Sequence, residues 1–234
     1  MIPNPGVAAL VHAVFEYGGI ALGVALYRRH RVLTERGTFA VVVGLLAGAA
    51  LGNKAVFIIE RPDVWHALLA GQVAMPGQSI VGGLLGGLLG VEIAKKLTGQ
   101  TRSTGDAMVW PLAVGIAVGR IGCFLAWLHD DTYGVATALP WGVDFGDGVA
   151  RHPTQLYDMA IVLGLAWAAH GRFDDRPGLA FKGFLAGYLA WRWFIDGWKP
   201  VLQPYAFGWS GIQWVCALAL AAYLPFVWRT WRRA

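Results

Sequence analysis

The chain has 234 residues, of which 56% are hydrophobic and only 14% charged, and its mean hydropathy is +0.51. Soluble domains carry about 25% charged residues, so this balance excludes an ordinary soluble globular protein. The net charge of +5 does not point to nucleic acid, because the basic residues lie between apolar runs, where they report topology in a bilayer.

Crossing the hydrocarbon core of a membrane takes about 20 apolar residues in a helix. Segments at about 6–27, 38–59, 78–97, 106–128, 154–171, 178–199 and 208–228 meet this requirement. They predict an all-α integral membrane protein, a seven-transmembrane-helix bundle forming a single domain over 1–234. The first segment has neither the basic flank nor the small-residue cleavage site of a secretory signal and reads as a retained helix. Pro111 is tolerable within the fourth, since neighbouring helices can satisfy the freed backbone groups. In the third, Gly82, Gly86 and Gly90 recur four apart and share a helix face, which lets another backbone approach closely. The alternative is that Gly82 and Gly83 leave room for a lipid.

Lysine and arginine alternate between the loops. Arg28, Arg29, Arg31 and Arg36 follow the first span, Lys95, Lys96 and Arg102 the third, Arg172, Arg176 and Lys182 the fifth, and Arg229, Arg232 and Arg233 the last. The other side has little beyond Arg61, Arg151 and Lys199. Basic loops stay cytoplasmic, so the N-terminus is expected outside and the C-terminus in the cytoplasm. The longest non-helical stretch, 129–153, then faces outward, and loops of that length are often functional.

Ionisable groups inside a span are costly and face a partner or a wet cavity. Glu16, Lys54, Arg120, Arg192 and Asp196 are of this kind, and Arg192, Asp196 and Lys199 share one face by their spacing. Arg192 and Asp196 could be a structural ion pair. Two guanidiniums at headgroup depth also suit a phosphate held bidentately, with Asp196 orienting Arg192. Gln155 and Tyr157 enter the membrane near the same face, after Arg151, His152 and Pro153. His152 and Asp130 are candidate acid–base groups, although each is of a kind often found merely solvated. Cys123 and Cys216 propose no disulfide, and no metal-ligand spacing stands out, so no metal is expected.

Five elements in order resemble those of the bacterial prolipoprotein diacylglyceryl transferases. Glu16-Tyr17-Gly18 resembles that family's aromatic-Tyr-Gly element, and Gly119-Arg120-Ile121-Gly122 with Phe124 its Gly-Arg-x-Gly-Asn-Phe element. The run Arg151-His152-Pro153-Thr154-Gln155-Leu156-Tyr157-Asp158 is similar to Arg-His-Pro-Ser-Gln-Leu-Tyr-Glu. Arg192, Asp196 and Lys199 match an Arg-x-x-x-Glu-Phe-x-Arg stretch, and Gly211 and Gln213 a Gly-Gln pair opening the last helix. The resemblance implies a seven-helix enzyme of the bacterial cytoplasmic (inner) membrane, with its site in the outward, periplasmic half. Such an enzyme moves the diacylglyceryl group of phosphatidylglycerol, or another anionic phospholipid, onto the lipobox cysteine of a prolipoprotein, releases glycerol phosphate and needs no soluble cofactor. It implies essential roles for Arg120 and Tyr17, and places Lys54 and Cys123 where the family has arginine and asparagine. Val81 stands where the family opens a His-Gly-Gly element with a histidine, so the base could be His129, Asp130, Asp131, Tyr17, water or the acceptor itself. A same-fold transferase with another acceptor, or a non-catalytic lipid-binding or transport protein, are the alternative readings.

Overall fold

The computed structural model describes residues 4–29, 38–71, 77–171, 176–201 and 203–232. Arg31, Arg36, Arg172 and Arg233, part of the loop charge used above, lie outside the described residues. Long helices occur in all seven expected segments: α1 (Pro5–Arg29), α2 (Thr38–Glu60), α4 (Ile80–Thr98), α5 (Val109–Leu125), α6 (Thr154–Ala169), α7 (Leu179–Asp196) and α8 (Gly211–Arg232). Among the described residues, four of them are long and apolar enough to cross a membrane: α1, α2, α8 and the 106–125 stretch that contains α5. Their outer faces carry bare apolar side chains such as Leu10, Phe39, Leu46 and Leu218, which suit lipid rather than water.

Local signals set the helix ends. Ser79 caps α4 by accepting from the Gly82 N–H at 3.3 Å, and Gly99 closes that helix in the left-handed region at φ 70°. The segment expected over 106–128 is divided. A 3-10 turn at Asp106–Met108 precedes α5, and a second at Trp127–Asp130 follows it. Because α5 begins at Val109, Pro111 lies in its first turn, where the missing N–H has no helical acceptor to lose.

Among the described residues, two elements longer than a single 3-10 turn have no counterpart among the sequence expectations. One is the short α3 (Pro62–Leu69), with proline in its first turn. The other is a hairpin inside the long loop, pairing β1 (Val143–Asp144) with β2 (Ala150–Arg151). Its turn is organised by Asp144 Oδ1, which accepts from the N–H groups of Gly146, Asp147 and Gly148 at 2.7, 3.1 and 3.0 Å. Arg151 closes it with bonds of 2.6 and 2.7 Å to Asp147. Those bonds hold the Asp147 carboxyl below its usual range. Phe145 is buried and packs edge-on against Phe124 at the end of α5, which fixes the loop over the helix ends.

The glycines pair helices. On α2 and α4, Gly44 meets Gly90, Gly48 meets Gly86 and Gly52 meets Gly82, each backbone against the other. The order of these pairs makes the helices antiparallel. A Cβ on Gly86 would lie 2.9 Å from the Cα of Gly52. Gly82 is therefore taken up by packing against α2, whereas Gly83 is looser, with its nearest neighbours 4.0 Å from a Cβ position. Gly90→Leu is expected to destabilise the protein by about 1–3 kcal/mol or more, because the backbone of Gly44 cannot retreat as a side chain could. Thermal unfolding in detergent checks this, with Gly164→Ala as a tolerated control, since nothing lies within 4 Å of its Cβ position.

The remaining helices gather around α7. Val81 and Leu84 of α4, Ala113 and Ile116 of α5, Val162 and Ala166 of α6 and Cys216 of α8 bury Phe184, Leu185, Tyr188 and Leu189. This core brings the C-terminal ends of α5 and α7 to the N-terminal ends of α6 and α8. The basic last turns of α4 (Lys95, Lys96) and α8 (Arg229, Arg232) lie at the opposite ends of those helices.

Candidate active site

A single carboxylate organises the polar interior. Asp158, in the second turn of α6, is 1% exposed. Its Oδ2 lies 3.0 Å from Arg120 Nη2 (α5), 3.4 Å from Arg192 Nη1 (α7) and 3.7 Å from Lys199 Nζ. Its Oδ1 accepts from Trp191 Nε1 at 2.8 Å. The i, i+4 spacing on α7 acts as expected, with Arg192 Nη2 2.9 Å from Asp196 Oδ1. Ser210 donates its hydroxyl to the other Asp196 oxygen. Gln213 ties this corner down, accepting from Ser210 N at 3.0 Å and donating to the Trp193 carbonyl at 3.2 Å.

Three basic side chains thus face two carboxylates, all five buried. Buried charges persist only when paired, and here the pairing is incomplete on the donor side. Among the described residues, Arg120 Nε, Lys199 Nζ, Tyr188 Oη and both amide atoms of Gln155 are buried without a hydrogen-bond partner. Each unmet buried polar group costs about 1–3 kcal/mol. Unmet donors on Arg120, Lys199, Tyr188 and the Gln155 amide nitrogen, gathered beside two guanidiniums, suit an anion with several oxygens.

Other expected site residues fall elsewhere. Tyr17 is 66% exposed. It points away from α5, because the positions of α1 that meet α5 are those of His12, Phe15, Gly19 and Gly23, about two residues out of phase with it. Lys54 donates to the Gly77 carbonyl at 2.9 Å. Arg151 is held by Asp147 in the hairpin and lies over the Tyr133 ring. His152 stacks on Trp198, with Nδ1 3.3 Å from the Tyr157 hydroxyl, which also accepts from Trp141. These rings form the loop-side wall at the end of α7 and do not join the cluster around Asp158.

Cys123 connects that cluster to a second group. Its Sγ lies 3.8 Å from Arg120 Nη1 and 3.7 Å from Nε2 of His12. On the far edge of the same ring, His12 Nδ1 is 3.3 Å from Asp130 Oδ1. Thr132 donates its hydroxyl to the other oxygen of Asp130. Sequence reasoning missed His12, a lone histidine on an apolar helix, and gave Asp158 no role of its own. The signal for Asp158 was an acid four residues past the start of a span, easily taken for one favouring a helix N-terminus.

An apolar helical bundle whose buried charges gather at one end is the arrangement of a membrane-embedded protein with internal polar chemistry. The sequence pattern of the prolipoprotein diacylglyceryl transferases matches residues 9–229, and the chain belongs to that family of transferases. It is similar to the phosphatidylglycerol–prolipoprotein diacylglyceryl transferase of Geobacter sulfurreducens, 33% identical over 178 residues, covering 72% of this chain and 67% of the relative. The proteins of the same name from Coxiella burnetii (31% identical, covering 81% and 77%) and Leptothrix cholodnii (29% identical, covering 83% and 76%) are further relatives.

Proposed function

We propose that the protein transfers the diacylglyceryl group of phosphatidylglycerol to the lipobox cysteine thiol of a prolipoprotein, releasing glycerol phosphate. The observation that carries this reading is the buried cluster in which Arg120, Arg192 and Lys199 converge on Asp158 with donors left unmet. The headgroup phosphate is bound there by Arg120 and Arg192, with Lys199, Gln155 and Tyr188 within the same polar interior. As the glyceryl carbon–oxygen bond breaks, negative charge grows on the departing phosphate, and fixed guanidiniums in a dry site stabilise it. Asp158 and Asp196 hold those guanidiniums in place before lipid arrives.

In this reading the seven long helices all span the bacterial inner membrane as one domain, with the N-terminus outside and the C-terminus cytoplasmic. The cluster then sits in the periplasmic half, level with phospholipid headgroups, and lipid and peptide enter sideways from the bilayer. The test is incubation of purified protein with phosphatidylglycerol vesicles and a synthetic lipobox peptide. Glycerol phosphate release matched by a diacylglyceryl mass gain on the peptide cysteine is the expected result. Release without that gain would assign the lipid to another acceptor.

A further inference from the structure

Attack on the glyceryl carbon needs a thiolate, and a cysteine thiol is mostly protonated at neutral pH. Val81 cannot serve as base, and it is buried in the apolar core around α7. His152 is engaged by Trp198 and Tyr157. The group that combines an imidazole edge directed at the phosphate cluster with an orienting carboxylate is elsewhere. His12 has its Nδ1 at 3.3 Å from Asp130, with the His12 side chain 37% and the Asp130 side chain 6% exposed.

From this geometry we infer that His12 is the general base that deprotonates the acceptor thiol, and that Asp130 is its positioning residue. The inference rests on the transferase reading above. A carboxylate at Nδ1 holds the imidazole in the tautomer whose Nε2 carries a lone pair. Asp130 is itself fixed by the Thr132 hydroxyl, and Thr132 is anchored through its carbonyl to Thr154 at the start of α6. Nε2 looks toward Cys123, whose sulfur touches Arg120. The basic edge of the ring therefore opens onto the side of the phosphate cluster where the acceptor must arrive. A shared metal ion between His12, Cys123 and Asp130 fits less well. Their ligand atoms lie within 4.8 Å of one another, but the Arg120 guanidinium, 3.8 Å from the Cys123 sulfur, disfavours a second cation there.

The step balances within these groups. The acceptor S–H proton passes to His12 Nε2, and the sulfur lone pair forms the bond to the glyceryl methylene carbon. The carbon–oxygen bond breaks and its electrons leave with glycerol phosphate. The imidazolium returns its proton to the released phosphate or to water.

A matched pair of peptide acceptors separates this role from a structural one. One carries the lipobox cysteine and the other selenocysteine, kept reduced, whose selenol is already ionised at neutral pH and needs no base. His12→Gln is expected to lose about 100-fold or more in turnover with the cysteine peptide, the usual reach of a general base, and only a few-fold with the selenocysteine peptide. Asp130→Asn is expected to follow the same pattern with a smaller loss. Equal losses on both acceptors would overturn the inference, as would an unchanged rate with cysteine. Should His12→Gln fail to fold, His12→Asn read against the same pair decides by the same criterion. A wild-type protein inactive on both peptides would instead sink the transferase reading, and this inference with it.

Discussion

Arg120→Lys is expected to remove measurable turnover, a loss of at least about 100- to 1,000-fold, in a protein that still folds. Lysine can keep the charge opposite Asp158, which Arg120 meets at 3.0 Å through one terminal nitrogen. It cannot keep the fork. The guanidinium spends Nη2 on Asp158, rests Nη1 against the Cys123 sulfur and leaves Nε unmet. Planar donors at fixed angles can hold two phosphate oxygens while keeping the internal ion pair, whereas an ammonium is a single point of charge on a flexible stem. Glycerol phosphate release from phosphatidylglycerol vesicles is the measurement, with thermal unfolding in detergent as the folding control. Turnover close to wild type would take the phosphate away from Arg120.

The second large effect belongs to Asp158. Asp158→Ala leaves Arg120, Arg192 and Lys199 facing one another without the carboxylate they share, and strips Trp191 of its acceptor. Breaking a buried ion pair from one side costs about 3–5 kcal/mol, because the surviving charges stay desolvated. The variant is therefore expected to unfold well below wild type in detergent and to lose activity. Asp158→Glu restores the charge and should recover much of both, the extra methylene shifting the carboxylate only slightly. A thermally unaltered Asp158→Ala protein would mean that Asp158 does not hold the three basic groups together.

These two residues also mark how legible the site was. Arg120, Arg192 and Asp196 stood out because a charge inside an apolar run has no inexpensive solution other than a partner, and the i, i+4 spacing supplied one of those partners on the same helix. Asp158 did not stand out, since its three partners lie on other segments and nothing local distinguishes it from an acid placed near a helix start. His12 was hidden for the same reason. Its partners Asp130 and Cys123 are remote in sequence and meet it only because Gly19 and Gly23 let α1 lie close along α5, beside Gly115 and Pro111. Tyr17 shows the reverse case. Its motif is plain in the sequence, but helical phase turns it away from α5.

What the sequence determined by itself was where the seven long helices lie, nearly to their ends, because apolar length and basic loop ends are local properties that need no knowledge of neighbours. It also showed that Gly82, Gly86 and Gly90 form a surface for close approach. The tertiary structure alone decided that α2 is the helix that uses this surface, that Asp158 is the hub of the buried charges, and that His12 stands against Asp130. Pair interactions between distant segments depend on how helices cross and in which phase they meet, and that is set by the packing of the whole bundle.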